Sequence, residues 1–219
     1  MDNPDSSASQ DFRLDTKLIS MRFEEVKQKL LEKLAQGAIF RRDNILTNGQ
    51  IADIALDVKE VTLSAEGLFL ASMAILHNLQ DQVEAIGSNS SITYSLPSTT
   101  ALLAYIRGQE LTSFYVRNQP RQFGFSKWIE GPLKQGAKIC LVQDQVRDSD
   151  TLVKLIRKVS EEADAQIIQV IGLVDISKAV ESRMFDLGIH YTPIIRLKDI
   201  LKLIPDAELL VQEDYHAKV

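Results

Sequence analysis

Residues 139–151 read Ile139-Cys140-Leu141-Val142-Gln143-Asp144-Gln145-Val146-Arg147-Asp148-Ser149-Asp150-Thr151. The first four are apolar without alternation, the pattern of a strand covered on both faces. Asp148, Ser149 and Asp150 are helix N-cap types. Over 151–163, Leu152, Leu155, Ile156 and Val159 recur at spacings that place them on one helical face. Residues 166–174 are largely apolar again and read as a further strand. Strand, helix and strand in this order build a parallel βαβ unit with a right-handed crossover, which sets an α/β fold class.

On the N-terminal side, residues 1–15 are polar and rich in Ser and Asp, the composition of a disordered tail, and residues 16–219 are expected to form one domain. Ile19, Phe23, Val26, Leu30 and Leu34, with Leu31 beside them, mark an amphipathic helix that Gly37 stops. Residues 38–58 read as short strands around the turn Thr47-Asn48-Gly49. A second helix is expected over 64–79. Short strands follow at 83–86 and 113–116, separated by a helix over 98–106 that Gly108 ends. The strand 138–142 is expected to give way to a polar loop at Gln143 and Asp144. Beyond the central unit come a helix over 180–187, a strand around Ile194 and a short helix over 196–203.

Composition narrows the function classes. A net charge of −5 on 219 residues argues against nucleic-acid binding, which needs a basic field. Cys140 is alone, so internal disulfides and thiolate metal clusters are excluded, and its apolar neighbours make it a buried small residue. His77, His190 and His216 lack metal-ligand spacing, and no metal site is expected. No apolar stretch reaches the ~18 residues that span a bilayer, and no basic-then-apolar leader opens the chain. A cytoplasmic protein without membrane contact is expected. There is no GxGxxG, P-loop or GxSxG pattern. Glu161, Glu162 and Asp164 read as a solvated helix end, and Trp128 as a packing residue.

Over residues 38–204 the order of elements and several local strings resemble orotate phosphoribosyltransferase. The fullest stretch is Phe114-Tyr115-Val116-Arg117, then Gly124, then Lys127-Trp128-Ile129-Glu130-Gly131-Pro132-Leu133, then Gly136-Ala137-Lys138 leading into the central strand. Val174-Asp175, Gly188-Ile189 and Leu197-Lys198-Asp199-Ile200-Leu201 match the family's ending. The resemblance implies a type I phosphoribosyltransferase-like fold: a central, mainly parallel sheet flanked by helices, with a small N-terminal hood. It also implies a homodimer, a phosphorylated sugar or nucleotide as ligand, and Mg2+ where 5-phosphoribosyl diphosphate is bound.

Carried over residue by residue, the resemblance weakens at the chemistry. The family's acid pair becomes Gln143 and Asp144, so hydrogen bonding survives but one charge is lost. In the phosphate turn the Thr and Gly positions hold Arg147 and Ser149, with Thr151 after them. A helix N-terminus binds anions through free N–H groups and its dipole. Asp148 or Asp150 can take those donors as a cap. A carboxylate ~4 Å from a phosphate charge costs on the order of 4 kcal/mol at an effective dielectric near 20, unless Arg147 compensates. A capped helix is therefore favoured over a phosphate cradle. Arg117 matches the family's arginine, but its lysine neighbour becomes Asn118, the loop lysine becomes Arg121 and the nearby histidine becomes Phe123. In the base-binding region Thr47-Asn48-Gly49-Gln50 and Ile54-Ala55-Leu56 bring neither lysine nor aromatic pair, and Ile176 stands where the family has an arginine. The diphosphate loop keeps only Gly87 in Gly87-Ser88-Asn89-Ser90-Ser91-Ile92.

These replacements point to a catalytically impaired or inactive relative, with a degenerate active site, acting as a ligand-sensing, regulatory or protein-binding module. The alternative is an active phosphoribosyltransferase of pyrimidine nucleotide biosynthesis, for orotate or another base. Arg121 and Asp144 would then be its catalytic residues, and Arg117, Gln143, Asp144, Arg147, Ser149 and Thr151 its ligand contacts. A protein partner is the third possibility.

Overall fold

Ile139, Cys140, Leu141 and Val142 are completely buried at the centre of a six-stranded sheet. The computed structural model describes residues 16–45, 51–89, 93–117, 128–177 and 179–204. Helices α1 (Thr16–Ile19) and α2 (Phe23–Gly37) lead into an antiparallel pair, β1 (Ile39–Ile45) and β2 (Ile51–Leu56). This two-stranded sheet is separate from the main one and forms the expected hood. Its connection, with Thr47 to Gln50, lies outside the described residues.

Helices α3 (Lys59–Thr62) and α4 (Ala65–Asn78) follow, then β3 (Ala85–Ser88), α5 (Ser95–Ile106), β4 (Thr112–Val116) and the two-residue β5 (Ile129–Glu130). The central unit is β6 (Ala137–Val146), α6 (Ser149–Glu162) and β7 (Ala165–Asp175). The chain continues through α7 (Val180–Asp186), β8 (His190–Arg196) and α8 (Leu197–Leu201). Strand order is β5-β4-β3-β6-β7-β8. Only β5 runs antiparallel to its neighbour. At the far edge, β8 carries Pro193, which has no N–H to donate.

Period-two alternation in β6 feeds two cores. Cys140 and Val142 join Leu30, Leu34, Met73 and Ile75 from α2 and α4 on one face. Ile139 and Leu141 join Leu152, Val159 and Met184 from α6 and α7 on the other. This is the expected α/β sandwich with helices on both faces of a mainly parallel sheet.

Among the boundaries that depart from the sequence reading, three bear on the packing and the site. Ile19 fits the helical period of α2 but belongs to α1, because the chain breaks between them. Arg107 donates from its Nε and Nη2 to the Ile19 carbonyl, and His77 Nε2 donates to the Met21 carbonyl at 2.9 Å. Those tertiary donors occupy carbonyls at the break that a continuous helix would use. Strand β3 spans 85–88 rather than 83–86. Gln143 and Asp144 belong to β6 rather than a loop, because β7 continues to pair with β6 as far as Val146.

Parallel register sets Gly87 opposite Phe114, and a Cβ at Gly87 would lie 2.4 Å from the Phe114 ring. Gly87→Ala is expected to destabilise the chain by about 1–3 kcal/mol through overpacking, with part of the loss recovered by adding Phe114→Leu; urea unfolding of the single and double variants checks this. Burial lowers the pKa of His77, and the nearby Arg107 charge acts in the same direction, against the Met21 hydrogen bond. The folded state thus binds the proton less readily than the unfolded chain, whose His titrates near ~6.5. The His77 contribution to stability is present above that pH and is lost as pH falls through the folded value. His77→Gln should flatten this part of the urea-midpoint profile measured from about pH 7.5 to 5.

Candidate functional site

From β3 the chain passes through α5 to β4 on one side, then returns through β5 to β6 on the other. Strand order therefore reverses between β3 and β6, and in open α/β sheets such a reversal opens a ligand crevice at the carboxyl ends of the strands. Pairing between β3 and β6 stops at Gly87 and Leu141, whereas β6 runs on to Val146. Asn89 ends one lip of the crevice, and Gln143 begins the other.

Two neutral amides bridge the lips. Gln143 is 8% exposed, and its Nε2 donates to Asn89 Oδ1 at 2.9 Å. Alternation sends Asp144 to the opposite face of β6. Asp144 Oδ1 accepts from the Gln145 N–H at 2.9 Å. Beyond β6, Arg147 donates from Nη2 to Gln145 Oε1 at 3.0 Å, while Gln145 Nε2 is buried without a hydrogen-bond partner among the described residues.

Asp148 caps α6. Its Oδ1 accepts from the Thr151 N–H at 2.8 Å and its Oδ2 from Thr151 Oγ1 at 3.0 Å. Ser149 is the first residue of the helix, and the exposed Asp150 stands in its first turn. The cap expected from the sequence is thus formed, and it takes both the backbone and the hydroxyl donor of Thr151. The cavity between Gln143, Gln145, Arg147, Asp148 and Thr151 measures about 90 Å3. That is room for about three waters at ~30 Å3 each, well under the ~300 Å3 at which small-molecule sites begin. A larger cleft of about 350 Å3 lies elsewhere, at the C-terminal end of α6 beside Trp128, Leu133 and Glu162.

Arg117 follows β4, and its Nη1 pairs with Glu130 Oε1 at 3.1 Å. Nearby, the Tyr94 and Tyr115 rings stack with centroids 4.5 Å apart. Burial, then Tyr115, raises the Tyr94 pKa, and the Arg117 charge opposes them. Among the described residues, the hydroxyls of Thr93 and Ser95, at the start of α5, are buried without partners. At the end of β7, Asp175 is 4% exposed and accepts from the Ser177 N–H at 2.8 Å and Ser177 Oγ at 2.6 Å. Arg196 lies 3.7 Å from Asp175 and also pairs with Glu181. Burial and the Asp175 charge hold the Tyr191 phenol far above its usual range. Ile176 packs against the apolar core, so its position offers no charge.

The structure therefore gathers Gln143, Asp144, Arg147, Ser149 and Thr151 along one lip and its turn, with Arg117 set apart in the β4–β5 hairpin. Asn118, Arg121, Phe123 and Ser90 to Ile92 lie outside the described residues. The Gln143–Asn89 bridge and the Tyr94–Tyr115 pair were not legible, because their members are distant in sequence and belong to common residue types. Among the described residues, no group of three or more His, Cys, Asp or Glu side chains is disposed to hold a metal ion. No described helix is long and apolar enough to cross a membrane.

No protein-family model matches the sequence. The chain is 26% identical over 177 residues to the orotate phosphoribosyltransferase of Thermosynechococcus vestitus, covering 80% of this chain and 93% of that protein. It is 27% identical over 177 residues to the orotate phosphoribosyltransferase of Synechocystis sp., covering 80% and 89%. A phosphoribosyltransferase structure from Corynebacterium diphtheriae superposes with a TM-score of 0.65 at 21% identity, covering 80% of this chain and 98% of that one. The orotate phosphoribosyltransferase of Mycobacterium tuberculosis in complex with 5-phospho-alpha-D-ribosyl 1-diphosphate gives 0.61 at 17%, with the same coverage of 80% and 98%. The sheet order, the crevice and these superpositions define a type I phosphoribosyltransferase fold. Its sequence relatives narrow that class: over 80% of its length the chain is similar to orotate phosphoribosyltransferases.

Asp148→Ala removes the cap of α6 and is expected to lower stability by about 0.5–2 kcal/mol, read as a shift of the urea midpoint.

Proposed function

We propose that this orotate phosphoribosyltransferase-like chain transfers phosphoribosyl groups poorly or not at all, and serves as a ligand-sensing, regulatory or protein-binding module. The observation that carries this reading is the Asp148 cap. The helix terminus that could cradle a phosphate already holds a carboxylate of its own chain. The small cavity there and the neutral Gln143–Asn89 bridge support the same reading. A cytoplasmic homodimer accompanies it, in keeping with the family resemblance.

A second reading is favoured by the polar atoms that have no partner along the crevice, Gln145 Nε2 and the Thr93 and Ser95 hydroxyls. Under it the chain is an active phosphoribosyltransferase. Arg121 replaces the loop lysine, Asp144 serves the ribose and Arg147 the phosphate. Mg2+ would then come with the diphosphate, held by phosphate oxygens and waters. With Asp144 as the one acid of the motif, the chain itself contributes little to that ion.

Calorimetric titration of the full chain with 5-phosphoribosyl diphosphate and Mg2+, beside an assay of orotate consumption, separates the two. The first reading expects little or no orotate consumption. It also expects Asp148→Ala, with its N–H donors freed and one negative charge removed, to bind the diphosphate ester at least about tenfold more tightly than the parent. Turnover by the parent chain at an ordinary enzymatic rate, about 1 s−1 or more, overturns the first reading in favour of the second.

A further inference from the structure

The β4–β5 ladder pairs Tyr115 with Glu130 and Val116 with Ile129, and the Arg117 N–H adds a hydrogen bond to the Trp128 carbonyl at 2.7 Å. The chain leaves the hairpin at Arg117 and re-enters it at Trp128. The ten residues between, 118–127, include Arg121. A side chain from another element reaches both ends of this connection. Lys158 of α6 donates from Nζ to the Arg117 carbonyl at 2.5 Å, and the same ammonium stands 3.6 Å from the centroid of the Trp128 ring. Both contacts need the charge: the ring attracts a cation through its quadrupole, and a charged donor bonds a carbonyl more strongly than a neutral one.

We infer that Lys158 is a positioning residue whose ammonium ties the two ends of the 118–127 connection to each other and to α6. This goes beyond the proposed function, since it holds whether or not transfer occurs. Lys158 sits on the helix whose N-terminus bears the Asp148 cap, so one rigid element carries both the turn at the crevice and the tie to the connection. Glu162, one turn further along α6, acts on the charge of the ammonium, and the hairpin carries the Arg117–Glu130 pair. Burial lowers the Lys158 pKa, and Glu162 opposes that shift. Loss of the charge, by deprotonation or by acylation of the amine, would release both contacts together.

Trp128 is the only tryptophan in the chain, so its emission reports on the surroundings of this one ring. The test compares the full-length parent with Lys158→Met and Lys158→Arg by three readouts: Trp128 emission, amide exchange at Arg117, and urea unfolding. Lys158→Met should shift the emission and speed Arg117 exchange by about tenfold or more, while Leu141 in β6 keeps its protection. Lys158→Arg should restore the parent's values, because a guanidinium also donates and stacks on an indole. Unchanged Arg117 exchange in Lys158→Met overturns the inference, as does a loss of protection that spreads equally to Leu141. If Lys158→Met does not fold, Lys158→Gln replaces it with the same two outcomes. None of these readouts uses 5-phosphoribosyl diphosphate, so a failed titration of the crevice leaves this result standing.

Discussion

Burial of β6 on both faces is the constraint on which the rest of the molecule depends. Ile139, Cys140, Leu141 and Val142 leave no solvent side, so helices must cover the sheet above and below. Parallel neighbours then need crossovers, and the crossover α6 delivers its N-terminus to the carboxyl end of β6. The crevice is a by-product of that arrangement. Where β3 ends and β6 continues, the sheet loses a neighbour, and polar residues become tolerable in a strand that is apolar four residues earlier.

The chemistry of the crevice follows from which donors and acceptors are already spoken for. Gln143 faces an amide across the gap, Thr151 faces its own cap, Arg147 faces a glutamine and Arg117 a glutamate. Among the described residues, the buried side-chain atoms left without a partner include three neutral ones near the crevice: the Gln145 amide nitrogen and the Thr93 and Ser95 hydroxyls. Neutral groups of this kind give or take hydrogen bonds, whereas stabilising a departing diphosphate depends on fixed positive charge.

Much of this could be read from residue order. Leu152, Leu155, Ile156 and Val159 lie where their spacing put them, and Asp148 caps where an N-cap residue was expected. What escaped the sequence was non-local. The break after Ile19 is made by Arg107 and His77, far along the chain, so local periodicity carries no trace of it. The length of β6 depends on how far β7 accompanies it, which the polar run Gln143-Asp144-Gln145 conceals. Trp128 was legible as a packing residue, but the lysine that stands on its ring belongs to another element.

The two margins of the main sheet restrict how the molecule can meet another. On one side β5 contributes only two residues, too short a template for a further strand. On the other, β8 interrupts its own row of donors at Pro193. Main-chain hydrogen bonding is the unselective route to association, open to any extended peptide, and among the described strands neither margin offers it freely. At the main sheet, contact with a second chain is thereby left to side chains on the helical layers, where partner choice is written in the sequence rather than in the backbone.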